Sequence, residues 1–338
     1  MNFDLSEDQE ALRDGIRSLC EGRFTSERVR AGFDRTMYDE LDATGVFSLR
    51  RDGFGWADTG IAFQELGRAL VPGPLVWTNL AHGLQGVEGV TTGIDLLSSP
   101  VSIVTDSDEP DSTEPGNANR VMVEFGAHAD SLVGLTEKGI VRFDLDHVHS
   151  SPELDWPLDP LTPVSVLERL PASELIAESA LAAVWRLCGA VLTSAYQVGM
   201  AQAAVETATA YALDRHQFDR PIGSFQAVKH LLADMAVRAE VARAAVDAAA
   251  VTLDSTLGER SDFGNDEIPA EVVRVVAGSR LLAGEAALKN AKGSLQVHGG
   301  MGFTWEVDVH LYLKRAWMLN TVFGTPVENA DALAASLR

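Results

Sequence analysis

Apolar residues return every three or four positions along most of the chain, but in one middle stretch they alternate or run together. That change of period divides the sequence into three zones. In the first, Ser6 followed by Gln9 has the form of a capping box, and Leu12, Ile16, Leu19 and Cys20 then recur at helical spacing up to Gly22. Two more helical stretches carry Met37, Leu41 and Val46, then Ile61, Phe63, Leu66 and Leu70, before Val71-Pro72-Gly73-Pro74 breaks the pattern. The second zone reads as short strands at 101–105, 120–125, 131–136 and 140–145. Glu137-Lys138-Gly139 supplies a hairpin turn between the last two, and the acidic stretch 106–119 reads as a solvated loop. The third zone is helical and rich in alanine, with candidate helices at 171–213, 225–257, 268–297 and 305–322 and a short tail after Pro326. Alanine has the best helix propensity and lets helices approach closely, so four long helices with short breaks predict an up-down bundle. The predicted fold is mainly α with a middle β-domain: helices over 1–97, a small antiparallel β-domain over 98–169 and a four-helix bundle over 170–338.

Composition narrows the function. Of 338 residues, 46% are hydrophobic, enough for a packed core, while 27 Lys and Arg face 49 Asp and Glu for a net charge of -22. Such a field repels phosphate backbones and anionic membranes, which excludes nucleic-acid and membrane-surface partners. Two cysteines, Cys20 and Cys188, cannot build a disulfide framework, and the acidic N-terminus lacks the basic and apolar regions of a signal peptide. A cytoplasmic protein is expected. The eight histidines form no HExxH and sit beside no cysteine ligands, so no metal site is expected. GxSxG is absent as well.

Two glycine-bearing segments stand out. Arg215-His-Gln-Phe-Asp-Arg-Pro-Ile-Gly-Ser-Phe-Gln226 lies between two predicted helices, with an Arg complementing a helix C-terminus and Pro221-Ile-Gly223 making a turn. Gln296-Val-His-Gly-Gly-Met-Gly-Phe303 places three glycines in four residues, where backbone N–H groups can meet an anion. It follows a helix rather than a strand, so it is no dinucleotide fingerprint. Taken singly, each also reads as an ordinary interhelical turn.

Together these segments resemble the acyl-CoA dehydrogenase family, flavoproteins that oxidise an acyl-CoA thioester to the 2-enoyl-CoA. Tyr211-Ala-Leu-Asp-Arg215-His-Gln-Phe218, followed by Phe225-Gln226 and Leu232-Ala-Asp-Met235, is similar to the family's Arg-x-x-Phe-Gly…Phe-Gln…Leu-Ala-Asp-Met signature, with Asp219 where Gly is usual. The 296–303 segment is similar to the family's Gln-x-x-Gly-Gly-x-Gly, and Glu65-Leu66-Gly67-Arg68 to a weaker N-terminal motif. The resemblance covers the whole chain and is strongest after residue 195. It implies the three-domain order read above, FAD as cofactor and a dimer in which these two segments reach the neighbour's FAD. Carried over, Arg215 would neutralise the pyrophosphate with Gln217 and Phe218 beside it. Gln226, Gln296 and the Gly299-Gly300 backbone would hold the ADP half.

The departures are selective. The reaction needs a carboxylate to take the α-proton, and the family places it either in a Tyr-Glu-Gly-Thr stretch or on an earlier bundle helix. Here the corresponding positions are Phe323, in Val322-Phe-Gly-Thr325, and Gly189, neither of which can accept a proton. The strands that hold the flavin ring in the family have no counterpart between 98 and 168, and Trp77-Thr78-Asn79, a similar tripeptide, falls in the first zone. The resemblance therefore implies a short non-catalytic subunit of an actinobacterial α2β2 assembly acting on a steroid-derived acyl-CoA. Its partner would be an acyl-CoA dehydrogenase-like chain that carries the base and binds most of the substrate. Two other readings stay open: a homomeric enzyme using Asp214, Glu206 or Glu328 as a relocated base, and a flavin-free scaffold of the same fold.

Overall fold

The computed structural model describes residues 5–97, 120–258 and 268–337. Five helices come first: α1 (Glu7–Arg23), α2 (Ser26–Arg30), α3 (Arg35–Asp42), α4 (Trp56–Arg68) and α5 (Leu75–Ala81). The capping box forms as the sequence predicts: the Gln9 N–H donates to the Ser6 hydroxyl at 3.2 Å and the Ser6 N–H to the Gln9 side chain at 3.1 Å. Strands β1 (Thr91–Asp95), β2 (Val121–Glu124), β3 (Ser131–Thr136) and β4 (Gly139–Phe143) follow, then α6 (Asp146–His149), β5 (Val164–Leu167) and β6 (Ser173–Glu178). The long helices are α7 (Ser179–Asp214), α8 (Gln226–Leu257) and α9 (Ala270–His298), joined to α10 (Val309–Leu319) and α11 (Pro326–Ala335). Between α7 and α8 lies a two-residue hairpin, β7 (His216–Gln217) with β8 (Arg220–Pro221).

The middle region differs from expectation in three ways. Its four-stranded sheet has the order β1-β3-β4-β6, and β1 runs parallel to β3, so the sheet is mixed rather than antiparallel. A separate antiparallel pair joins β2 to β5. The sheet also reaches past both expected boundaries, 98 and 169, because β1 precedes the one and β6 follows the other. Residues 173–178, expected to open the first bundle helix, instead pair with β4, and the helix begins at Ser179. Ser-Glu-Leu-Ile-Ala-Glu has no decisive period of its own, and a free sheet edge supplies the hydrogen bonds that settle it. The expected strand at 101–105 lies outside the described residues. At the far end, the tail after Pro326 is a helix, opened by a capping box in which Thr325 accepts from the Glu328 N–H.

Helix α7 is the centre of the molecule, packed by α4, α5, α8, α9 and the sheet. By length and composition it is the one helix among the described residues that could cross a membrane, and most of that apolar stretch is buried inside the protein, as suits the middle of a bundle. Its contact with α4 is backbone on backbone. A Cβ on Gly67 would lie 1.9 Å from the Tyr196 carbonyl oxygen, and one on Gly199 would lie 1.8 Å from the Gln64 carbonyl oxygen. The Glu65-Leu66-Gly67-Arg68 motif thus has a structural job. Buried Glu65 accepts two hydrogen bonds from Arg17 at 2.9 and 2.7 Å, Leu66 is in the core, Gly67 admits α7, and Arg68 pairs with Glu206.

A buried polar cluster joins the middle region to the bundle. Arg315 on α10 pairs with Asp159, and both are almost fully enclosed. Asp159 also accepts from the Leu161 N–H at 3.1 Å and the Thr162 hydroxyl at 2.8 Å, which offsets part of its desolvation cost. Burial pushes the nearby Glu124 carboxyl up to about 7, with Arg315 opposing and Asp159 reinforcing the rise.

Two outcomes test this packing. Gly67→Ala or Gly199→Ala is expected to cost about 3 kcal/mol in denaturant unfolding, the upper end of overpacking penalties, because the atom in the way is backbone that no rotamer change can move. Glu124 should make stability fall as pH rises. Its stabilising protonation is complete below the unfolded value near 4.5 and is lost as pH climbs to about 7. Glu124→Gln should therefore match the wild type near pH 4 and exceed it in melting temperature at pH 8; a pH-independent difference would contradict this.

Candidate functional site

The two ends of α7 carry different chemistry. Toward its start, the two positions where the family places a base come together. Phe323 is 2% exposed, and a Cβ on Gly189 would meet its ring at 2.5–2.6 Å. The Phe323 ring also lies 4.6 Å from that of Trp77, so an aromatic pair closes the space beside Gly189. Trp77 stands on helix α5, not on a strand, so Trp77-Thr78-Asn79 is no counterpart of the flavin-holding strand. Phe323 takes φ 51° and Gly324 φ 102°, a left-handed kink that turns the ring inward.

That kink is held from behind by Arg280 on α9. Its guanidinium, 3% exposed, donates to Gln197 and to the Leu319 carbonyl, and to the Val322 carbonyl at 2.8 Å. Gln197 in turn donates to Asn320 at 3.0 Å. Burial lowers the Arg280 pKa to about 10, which leaves it charged at neutral pH, where it faces the carbonyl end of α10. Sequence reading passed over Arg280 because a lone Arg inside an alanine-rich helix looks like a surface residue.

The remaining carboxylates proposed as relocated bases are engaged or remote. Glu206 is paired with Arg68, Glu328 accepts from the Thr325 N–H at 2.7 Å, and Asp214 is exposed at the opposite end of α7.

At that opposite end the structure gathers the other set. Met235 near the start of α8 packs with Ala208 and Ala212 of α7 and Val297 of α9, so the end of α7, the start of α8 and the end of α9 share one small core. Arg215, Gln217, Phe218, Gln226, Gln296, Gly299 and Gly300 all lie exposed around it. Phe218 and Asp219 form the two-residue loop of the hairpin with φ 54° and 62°, the positive-φ geometry such loops require. Asp is among the few residues that tolerate it, which explains how Asp219 replaces the usual Gly. Phe225 occupies the N-cap of α8; its ring sits 4.1 Å below the Arg220 guanidinium and edge-on to Phe218 at 6.1 Å.

The donor set suits a dinucleotide's ADP half. Gly299 turns out of α9 at φ 59°, and neither Gly299 nor Gly300 has any atom within 4 Å of where a Cβ would stand, leaving open backbone for close approach. Arg215 offers a guanidinium with no ion pair among the described residues, and Gln226 and Gln296 offer free amides. Gly189 and Arg215 lie ~40 Å apart along the α7 axis, at about 1.5 Å per residue. Among the described residues no group of three or more His, Cys, Asp or Glu is placed to hold a metal.

Residues 187–336 match the acyl-CoA dehydrogenase C-terminal domain family. The chain is 30% identical to the acyl-CoA dehydrogenase IpdE2 of Mycolicibacterium smegmatis, over 98% of this chain and 100% of that protein. Among solved structures it resembles the ChsE4-ChsE5 complex from Mycobacterium tuberculosis, with TM-score 0.77, 21% identity and coverage of 100% and 99%. It also resembles the Tcur3481-Tcur3483 steroid ACAD, with TM-score 0.73, 19% identity and coverage of 98% of each. The chain belongs to the acyl-CoA dehydrogenase family.

The contact between the base positions is directly testable. Gly189→Ala should destabilise the protein by about 1–3 kcal/mol through overlap with the Phe323 ring. In a Phe323→Leu background the same change should cost less, and a double-mutant cycle should show the two sites coupled; additivity would mean that they do not touch.

Proposed function

We propose that this chain is a subunit of a heteromeric FAD-dependent acyl-CoA dehydrogenase that completes the FAD site of its partner and supplies no base of its own. The observation that carries this reading is the Phe323 ring seated on Gly189: both base positions are filled by groups that cannot take a proton. The exposed donor set at the far end of α7 is retained alongside that loss. When bound, FAD supplies the hydride acceptor for the α,β-desaturation of an acyl-CoA thioester. Arg215 binds the pyrophosphate of the partner-held cofactor through charge-assisted hydrogen bonds, with Gln217 and Phe218 flanking it. Gln226, Gln296 and the Gly299-Gly300 N–H groups hold the ADP half. The partner subunit carries the carboxylate and binds most of the substrate.

The named assemblies that the chain resembles support a two-chain complex, and the steroid ACAD among them supports a steroid-derived acyl-CoA as substrate. The acidic surface and the scarcity of cysteine suit a cytoplasmic location.

Co-expression with an acyl-CoA dehydrogenase-like partner, followed by flavin quantification, tests the proposal. One FAD per heterodimer is expected, with little or none on the isolated chain. Arg215→Ala in this chain should weaken FAD retention by the complex roughly ten- to a hundredfold without dissolving it, in line with loss of charged hydrogen bonds. One FAD per chain with turnover by this protein alone would sink the reading in favour of a self-sufficient enzyme. A colourless complex would favour a scaffold.

A further inference from the structure

Two elements must be held in register for the ADP half to be captured: the Arg215 end of α7 and the glycine turn after α9. They are far apart in sequence, and each is exposed. Beside the small apolar core that Ala212 and Val297 share, an aromatic contact joins them. The Tyr211 and His298 rings stack at 4.2 Å with an interplanar angle of 23°. Tyr211 lies one turn before Arg215, whose backbone N–H donates to the Tyr211 carbonyl at 2.8 Å. His298 is the last residue of α9 and immediately precedes Gly299.

The His298 ring and the backbone around Tyr211 are held from other sides. His298 is 5% exposed, and its Nδ1 lies 2.8 Å from the Ser294 carbonyl, an acceptor that sets Nδ1 as the protonated nitrogen. Gly302 closes over the same residue, since a Cβ there would stand 3.2 Å from the His298 Cβ. On the hairpin side, a Cβ on Gly223 would stand 3.0 Å from the carbonyl oxygen of Ala212, one residue beyond Tyr211, and the Ile222 N–H donates to the Arg215 carbonyl at 2.8 Å. The hairpin is therefore built onto the Tyr211 turn, and the glycine turn onto His298. The stacked pair is the aromatic link between the two, beside the apolar core.

We infer that the Tyr211–His298 stack is a positioning pair: it sets the spacing of the Arg215 guanidinium against the Gly299-Gly300 N–H groups and so determines how tightly the complex holds FAD. Neither side chain needs to touch the cofactor. This rests on the shared-flavin reading above, and its test separates the two. The co-expressed complex is stripped of flavin and titrated with FAD, with assembly followed by light scattering and melting temperature recorded in parallel.

Tyr211→Leu, which keeps bulk but loses the flat ring, should weaken FAD binding about three- to tenfold, the scale of an aromatic pair, with the complex still assembled. Tyr211→Phe, which keeps the ring, should restore native affinity. A purely structural role would not discriminate between these in FAD affinity at equal assembly. If Tyr211→Leu binds FAD as tightly as the wild type while Arg215→Ala does not, the positioning role is overturned and the shared site stands. A loss that only tracks dissociation of the complex overturns it too. If Arg215→Ala itself has no effect, the shared-flavin reading fails, and the inference with it.

Discussion

The seat of α4 on α7 is the constraint around which the molecule is arranged. Two glycines, Gly67 and Gly199, remove the only atoms that would keep the helix backbones apart, so each helix rests on the other's carbonyls. Contact this close fixes both axial position and rotation, because sliding by a residue would put a side chain where no space exists. With α7 so fixed, the sheet that feeds into it through β6, the N-terminal helices and the bundle are all referred to one axis. The buried Arg315–Asp159 pair then ties the middle region back to α10, with Arg315 also 3.4 Å from the Tyr196 hydroxyl.

The two ends of that axis differ in character. At one end, Gly189 is needed because Phe323 is there, and Phe323 is placed there by a left-handed kink that Arg280 clamps from the far side. A buried guanidinium bound only to neutral acceptors is costly, and it persists here by satisfying carbonyls at the C-terminus of α10, where the helix dipole favours a cation. The result is a filled, apolar locus rather than a degraded one. At the other end, residues that contribute little to the core remain exposed, and their backbone is held in specific and partly strained conformations. Phe218 and Asp219 take the positive φ that a two-residue hairpin loop requires.

Much of this was legible in the sequence. Helical periodicity located α1, α4 and the three long bundle helices. The capping signal at Ser6 acts locally, within three residues. The identities of Arg215, Gln226, Gln296 and the glycine turn could be read from motifs, as could the absence of a carboxylate at 189 and 323. What the sequence could not decide were matters of pairing between distant segments. Residues 173–178 became a strand because β4 offered an open edge, and β1 joined β3 in parallel because α5 delivers it from that side. Motif reading gave Glu65-Leu66-Gly67-Arg68 a name but no reason; the reason is the α7 carbonyl above Gly67. Above all, Gly189 and Phe323 appeared as two separate losses, and only the folded chain shows them as one contact. Local hydrogen bonds and side-chain period are written along the chain, whereas steric fit between surfaces exists only after the chain has brought them together.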